Sequence, residues 1–200
     1  MTARLLRAYL LAAIHYEPAS MPGVERTPRY PLTVIALHWM TAAAVVGLVV
    51  LGWWMQVIPK DPVGPRADAY NLHKSLGLSV LLLMLLRLAW RASHRPPELP
   101  PLPAWQAWSA RAVHGLLYAL MFAVAFSGYL GSATSGFPVK FFGVLLPAWT
   151  AANPALKELC SVVHLATSWM LVAAIAIHLL ATLHHQWVLR DGLLWRMWPR

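Results

Sequence analysis

The chain has 200 residues, of which 59% are hydrophobic and only 12% are charged. Soluble domains average about 25% charged residues, so this composition excludes a soluble globule, and its high hydrophobicity excludes a disordered chain. The net charge of +9 would favour nucleic-acid binding in a soluble protein, but membrane proteins carry excess Lys and Arg in their cytoplasmic loops.

Residues 1–28 are predicted to form an N-terminal extension, and residues 29–200 the folded domain. Arg4 and Arg7 precede a short apolar run, as in a signal peptide, but the context after that run is poor for cleavage. We interpret the segment as a disordered extension, or as untranslated sequence upstream of a start at Met21.

Four segments are long and apolar enough to cross a membrane, which takes about 20 residues in a helix. They are residues 32–58, 70–90, 112–131 and 161–185. Proline and glycine are frequent between them. The third connection also contains an apolar stretch at 141–149 that is too short to span and is expected at the membrane interface. The predicted fold class is therefore all-α, an integral membrane four-helix bundle.

The distribution of cations predicts the orientation of the bundle. The N-terminal segment, the end of the second span with its following loop, and the C-terminal tail carry Arg4, Arg7, Arg26, Arg29, Arg87, Arg91, Arg95, Arg111, Arg190, Arg196 and Arg200. The other side carries Lys60, Arg66, Lys140 and Lys157, with Lys74 at a span's edge. This bias predicts that both termini and the middle loop lie in the cytoplasm. The charges are spread along span ends, so no nucleic-acid partner is expected.

Five of the nine histidines lie in or at the edge of the spans: His38, His73, His114, His164 and His178. An ionisable group at membrane depth indicates a functional site, and the alternative is a neutral imidazole hydrogen-bonded across the bundle. His164 and His178 are 14 residues apart, which places them within about 40° on one helix face and about 21 Å apart in depth.

Depth pairs these histidines with partners on other helices. On the predicted orientation, His38 and His178 lie near the cytoplasm, whereas His73 and His164 lie near the outer surface. His114 competes with His38 for His178. We favour His38 because it lies a full turn deeper in its predicted span, which leaves His114 at the cofactor's edge or in simple packing.

Two pairs of imidazoles in a bundle suit two bis-histidine b-type haems. Zinc usually takes four ligands, and the spans contain no carboxylate or thiol to complete such a set, with Cys160 the nearest candidate. A proton relay would generally include Asp or Glu. Arg87 is suited to a haem propionate or to snorkelling towards the interface. Small residues near the histidines are expected to give a haem room: Ala42, Ala43, Gly47, Gly77 and Gly115.

Over about residues 29–200 the chain resembles the bacterial cytochrome b561 family. The resemblance rests on RYPLTVIALHWM, NLHKSLGLSVLLLMLLRLAWR, AVHGLLYALMFAVAFSGYLGS and VVHLATSWMLVAAIAIHLLATLHHQWVLRDGLLWRMWPR. It implies a multi-pass protein of the bacterial inner membrane with two b haems, with His38, His73, His164 and His178 as axial ligands of the iron, and with ubiquinone as redox partner. One branch of the family acts as a superoxide:ubiquinone oxidoreductase, in which outer cations would steer the anion: Lys60, Arg66, Lys74, Lys140 and Lys157.

The predicted function is electron transfer between a small donor, with superoxide as one candidate, and the ubiquinone pool. The alternative is a cytochrome b subunit that connects a separate dehydrogenase or hydrogenase to quinone, although the short loops favour a stand-alone protein. A third hypothesis, a haem-free transporter or scaffold, requires all four histidines to be structural.

Overall fold

The computed structural model describes residues 28–60, 63–97 and 102–199. Apart from Pro28, the predicted N-terminal extension lies outside the described residues. The long helices are α1 Leu32–Val57, α2 Val63–Ser93, α3 Ala104–Ala133 and α4 Pro154–His184. All four are long and apolar enough to cross a membrane. This confirms the predicted all-α, four-helix membrane protein.

Three helices begin seven or eight residues before the predicted spans. Hydropathy detects the segment buried in hydrocarbon, whereas the backbone continues as a helix into the polar interface. In α4, Pro154 occupies the first turn, where a missing N–H costs nothing, and the side chain of Asn153 accepts a hydrogen bond from Leu156 N at 3.0 Å. After α4, a π-helical turn, His185–Leu189, and a 3₁₀ turn, Leu193–Arg196, complete the tail.

The helices pack as two antiparallel pairs. Helix α1 packs along α2, α3 packs along α4, and the pairs are joined through α2 and α3. All four helices contribute to one buried cluster, the central core: Val45, Val80, Met84, Leu120, Leu171 and Ala174. Most other apolar side chains point outwards, as at Val57 (76% exposed). This surface is suited to lipid.

The connection between α3 and α4 contains two short antiparallel strands, β1 Lys140–Phe141 and β2 Val144–Leu145. We call this end of the bundle the hairpin end. The hydroxyl of Ser75 in α2 accepts a hydrogen bond from Phe142 N (2.9 Å) and donates to Asn71 O (2.8 Å), which attaches the hairpin to α2. The apolar stretch 141–149 exposes most of its side chains. Its location at the membrane interface stays a prediction.

The opposite end, called the terminal end, joins the first described residues, the α2–α3 connection and the tail. Arg196 is 2% exposed and donates hydrogen bonds to Pro28 O (2.9 Å) and Pro97 O (3.0 Å). Its guanidinium also lies 5.3 Å from the ring centre of Tyr30. In the same region, Trp39 Nε1 donates to Met197 O at 2.7 Å. The tail is therefore fastened to α1 and to the α2–α3 connection.

Replacing Arg196 by Ala is expected to destabilise the terminal end. Each backbone carbonyl that loses its partner costs about 1–3 kcal/mol when it stays buried. The check is the thermal unfolding midpoint in detergent, which should fall by several degrees. Arg95→Ala removes an exposed charge from the same end and is the matched control. Equal midpoints for the two variants would contradict this account of the tail.

Candidate cofactor-binding site

Two histidines from different helices face each other near the hairpin end. The ring centres of His73 in α2 and His164 in α4 lie 6.2 Å apart, with the ring planes at 77°. His164 Nδ1 lies 2.9 Å from Val124 O in α3. Because a carbonyl oxygen only accepts, Nδ1 carries a proton, which in a neutral ring leaves the lone pair on Nε2. His164 thus has the orientation and tautomer of a metal ligand held by a backbone carbonyl.

Two glycines on neighbouring helices make room for these rings. A Cβ at Gly128 in α3 would lie 3.0 Å from Cε1 and Nδ1 of His164, and one at Gly52 in α1 would lie 3.4 Å from Cε1 of His73. Neither glycine was predicted from the sequence. The glycines singled out from the sequence have no atom within 4 Å of an added Cβ: Gly47, Gly77 and Gly115. A single sequence holds no signal for Gly52 or Gly128, because each acts across a helix interface.

Three histidines gather towards the terminal end. The ring centres of His114 in α3 and His178 in α4 lie 5.3 Å apart. His38 in α1 interacts electrostatically with both rings and with Arg87. The helix bounds do not support the expected difference in depth between His38 and His114: α3 begins at Ala104, so His114 lies ten residues into its helix, and His38 lies six residues into α1. Depth therefore does not decide between them.

One buried nitrogen in each cluster has no hydrogen-bond partner among the described residues. These atoms are Nδ1 of His38 and Nδ1 of His73. Buried polar atoms are nearly always partnered, so such exceptions point to a group that the chain does not itself supply. The distance between the ring centres of His73 and His164 is also consistent with a group bound between them. Imidazole nitrogen binds metals at about 2 Å, so two rings on opposite sides of one ion have centres about 6 Å apart.

The donor set fits haem iron better than zinc. In the part of the chain that the structure describes, no three His, Cys, Asp or Glu side chains come together to hold a metal ion. Cys160 is buried, and its Cβ lies 3.0 Å from the position of a Cβ on Gly131, so it packs against α3. Two opposed imidazoles suit an iron whose other ligands come from a porphyrin.

The cations expected to steer an anion differ in their surroundings. Arg66 donates to Ile58 O (2.8 Å) and lies over the Tyr70 ring, so it fastens the start of α2. Lys157 lies 3.9 Å from Glu158. Lys60 is exposed, whereas Lys74 and Lys140 are half-buried. Of this set, Arg66 and Lys157 thus have partners within the chain.

Four membrane helices with histidines paired across the bundle at two levels define the class of membrane cytochromes b. The family model of prokaryotic cytochrome b561 matches residues 29–200, and the chain belongs to this family. Membership indicates a multi-pass bacterial membrane protein that transfers electrons and binds b-type haem.

Three relatives illustrate the similarity. Cytochrome b561 homolog 2 of Escherichia coli K12 is 34% identical over 84% of this chain and 90% of its own. Cytochrome b562 of Cereibacter sphaeroides is 31% identical over 87% and 98%. The probable superoxide oxidase CybB of Yersinia pestis is 29% identical over 86% and 97%.

Replacing Gly128 by Ala is expected to lower the haem content. The added Cβ would push the His164 ring away from Val124 O, although alanine itself favours the helix by about 1 kcal/mol. Haem per chain is measured by the pyridine haemochromogen method on detergent-purified protein. Gly64→Ala, in open space at the start of α2, is the control. Full haem content in both variants would show that the fit around His164 is unimportant.

Proposed function

We propose that the chain holds two b-type haems and passes single electrons between a small donor and ubiquinone. His73 and His164 would hold one haem near the hairpin end, and His38 and His178 the other near the terminal end. The observation that carries the proposal is the opposed pair His73 and His164, with Nδ1 of His164 bonded to Val124 O. That arrangement brings imidazoles from two helices to a separation at which both could bind one iron.

Two observations favour His38 over His114 as the partner of His178. Nδ1 of His38 is buried and has no hydrogen-bond partner among the described residues. The same is true of Nδ1 of His73 at the other end. The His114 residue is exposed, whereas His38 is half-buried. His38 thus has the more enclosed surroundings, which suit a ligand of a buried haem.

A bound b-type haem supplies the one-electron chemistry that these side chains lack. The chain's part is to hold and separate the two sites. Val124 O fixes one imidazole, and Gly52 and Gly128 allow the rings to approach the neighbouring helices. The central core lies between the histidine clusters along all four helices and contains no buried charge. It keeps water and ions out of the middle of the bundle.

The proposed substrates are based on the family and on the charged residues at the two ends of the bundle. A relative is named as a probable superoxide oxidase, and superoxide is an anion that cations attract. Lys74 and Lys140 are half-buried at the hairpin end, and Lys74 follows His73 directly in the chain. Fewer cations lie at this end, so we place it on the outer side of the inner membrane and the terminal end in the cytoplasm. Ubiquinone would reach the protein through the lipid.

Single histidine variants test the ligand assignment. Purified wild-type protein is expected to contain two haems per chain by the haemochromogen method. His38→Ala, His73→Ala, His164→Ala and His178→Ala should each retain about one, because the loss of one axial ligand empties one site. His114→Ala is the matched control and should retain both.

The reverse result for His38 and His114 would change the ligand assignment at the terminal end. Two haems in His38→Ala and one in His114→Ala would make His114 the ligand. Wild-type protein without haem, from cells with ample haem, would overturn the proposed function and return the histidines to packing. Size-exclusion chromatography in detergent separates ligand loss from misfolding.

Stopped-flow spectroscopy tests the substrates. Superoxide added to the oxidised protein is expected to reduce its haem, and a water-soluble ubiquinone added afterwards to reoxidise it. Lys74→Gln should slow the first step and leave the second unchanged, because only the first involves a small anion. Reduction that requires a co-purified dehydrogenase or hydrogenase, with none by superoxide, would favour the cytochrome b subunit instead.

A further inference from the structure

Arg87 is a half-buried cation within a membrane-spanning helix. Its guanidinium carbon lies 5.5 Å from the ring centre of Tyr118 in α3. It also interacts electrostatically with the three histidines of the terminal end, His38, His114 and His178. The side chain is therefore directed towards the bundle rather than along the lipid surface, so these contacts favour a role inside the bundle over snorkelling.

Within the described part of the chain, Arg87 has no acidic partner. The ion pairs found there join Lys157 to Glu158 and His185 to Asp191. Tyr118 offers the face of its ring, which is a weaker partner than a carboxylate, and neutral imidazoles cannot balance a charge. A guanidinium at membrane depth without an anion is costly, and such groups usually pair or line a functional site. An anion is therefore the kind of partner that would suit Arg87.

A second donor lies one turn further along α2. Trp90 follows Arg87 by three residues, which places both on the same side of the helix. Its indole Nε1 is buried and has no acceptor among the described residues. Arg91, by contrast, is exposed. A planar guanidinium combined with a single N–H is the donor set that a carboxylate accepts well, since its two oxygens take several hydrogen bonds.

We infer that Arg87, with the indole of Trp90, binds a carboxylate at the terminal end of the bundle. This rests on the proposed function, because a b-type haem held by His38 and His178 brings two carboxylates, its propionates, into this region. The other source of the same chemistry is a free carboxylate from solution. Arg87 would thereby hold the edge of the cofactor while the histidines hold its iron.

Redox titration of purified two-haem protein tests the inference, with Arg87→Gln compared against Arg91→Gln. Loss of a positive charge close to iron disfavours its reduced form. In Arg87→Gln, one of the two haems should show a ratio of reduced to oxidised iron that is about tenfold lower at a fixed potential. This corresponds to a midpoint potential about 59 mV lower for a one-electron couple. Arg91→Gln removes an exposed charge that also acts on His114, and it should shift this haem by clearly less than Arg87→Gln does. Arg87→Lys should shift the same haem by less, because it keeps the charge but loses the planar fork.

Each outcome decides between the explanations. Loss of one haem from Arg87→Gln, but not from Arg91→Gln or Arg87→Lys, supports the inference as well. If Arg87→Gln fails to fold, the shift in Arg87→Lys decides. Unchanged haem content and potentials in Arg87→Gln overturn the Arg87 assignment alone, whereas wild-type protein without haem overturns the proposed function. A wild-type potential that varies with added acetate identifies a free anion and overturns the propionate.

Discussion

The arrangement depends on one constraint: a polar side chain in hydrocarbon needs a partner. The hydroxyls meet it within their own helices. Ser79 donates to Ser75 O, Ser127 to Ala123 O and Thr182 to His178 O, each four residues back. Hydroxyls bonded in this way leave the helices free to pack at any rotation. The imidazoles of His73 and His164 have no such partner in their own helices, so they restrict how the helices are placed.

Different contacts fix the helix positions at the two ends of the bundle. At the hairpin end, the carbonyl of Val124 binds the His164 ring, and the glycines Gly52 and Gly128 let the two histidine rings pack closely against the neighbouring helices. At the terminal end, the chain fastens its own segments through Arg196 and Trp39, both of which donate to backbone carbonyls distant in sequence. Backbone carbonyls thus hold both ends, while the apolar central core joins all four helices.

The sequence was sufficient for features that lie along a single helix. Hydropathy located four spans, and the spacing of His164 and His178 placed two histidines at different depths on α4. It was insufficient for features that depend on helix rotation and tilt, which packing between helices determines. Gly52 and Gly128 contact rings from other helices, so their positions relative to His73 and His164 in the chain carry no information. Hydropathy did not detect the start of α3 at Ala104, because the first turns of this helix are less apolar than its centre, and the longer helix weakens the depth argument against His114.

The two histidine clusters also differ in polarity, although their ligand chemistry is the same. The hairpin-end pair is set against glycines and a carbonyl, whereas the terminal-end cluster has a third imidazole and the Arg87 guanidinium beside it. The affinity of a haem iron for an electron depends on axial ligands, hydrogen bonds and burial together. On the proposed assignment, imidazoles would hold the iron at both ends, so the ligands themselves would not distinguish the two sites. Any difference between the sites in affinity for an electron would then come from Arg87, His114 and the other surroundings of each pair.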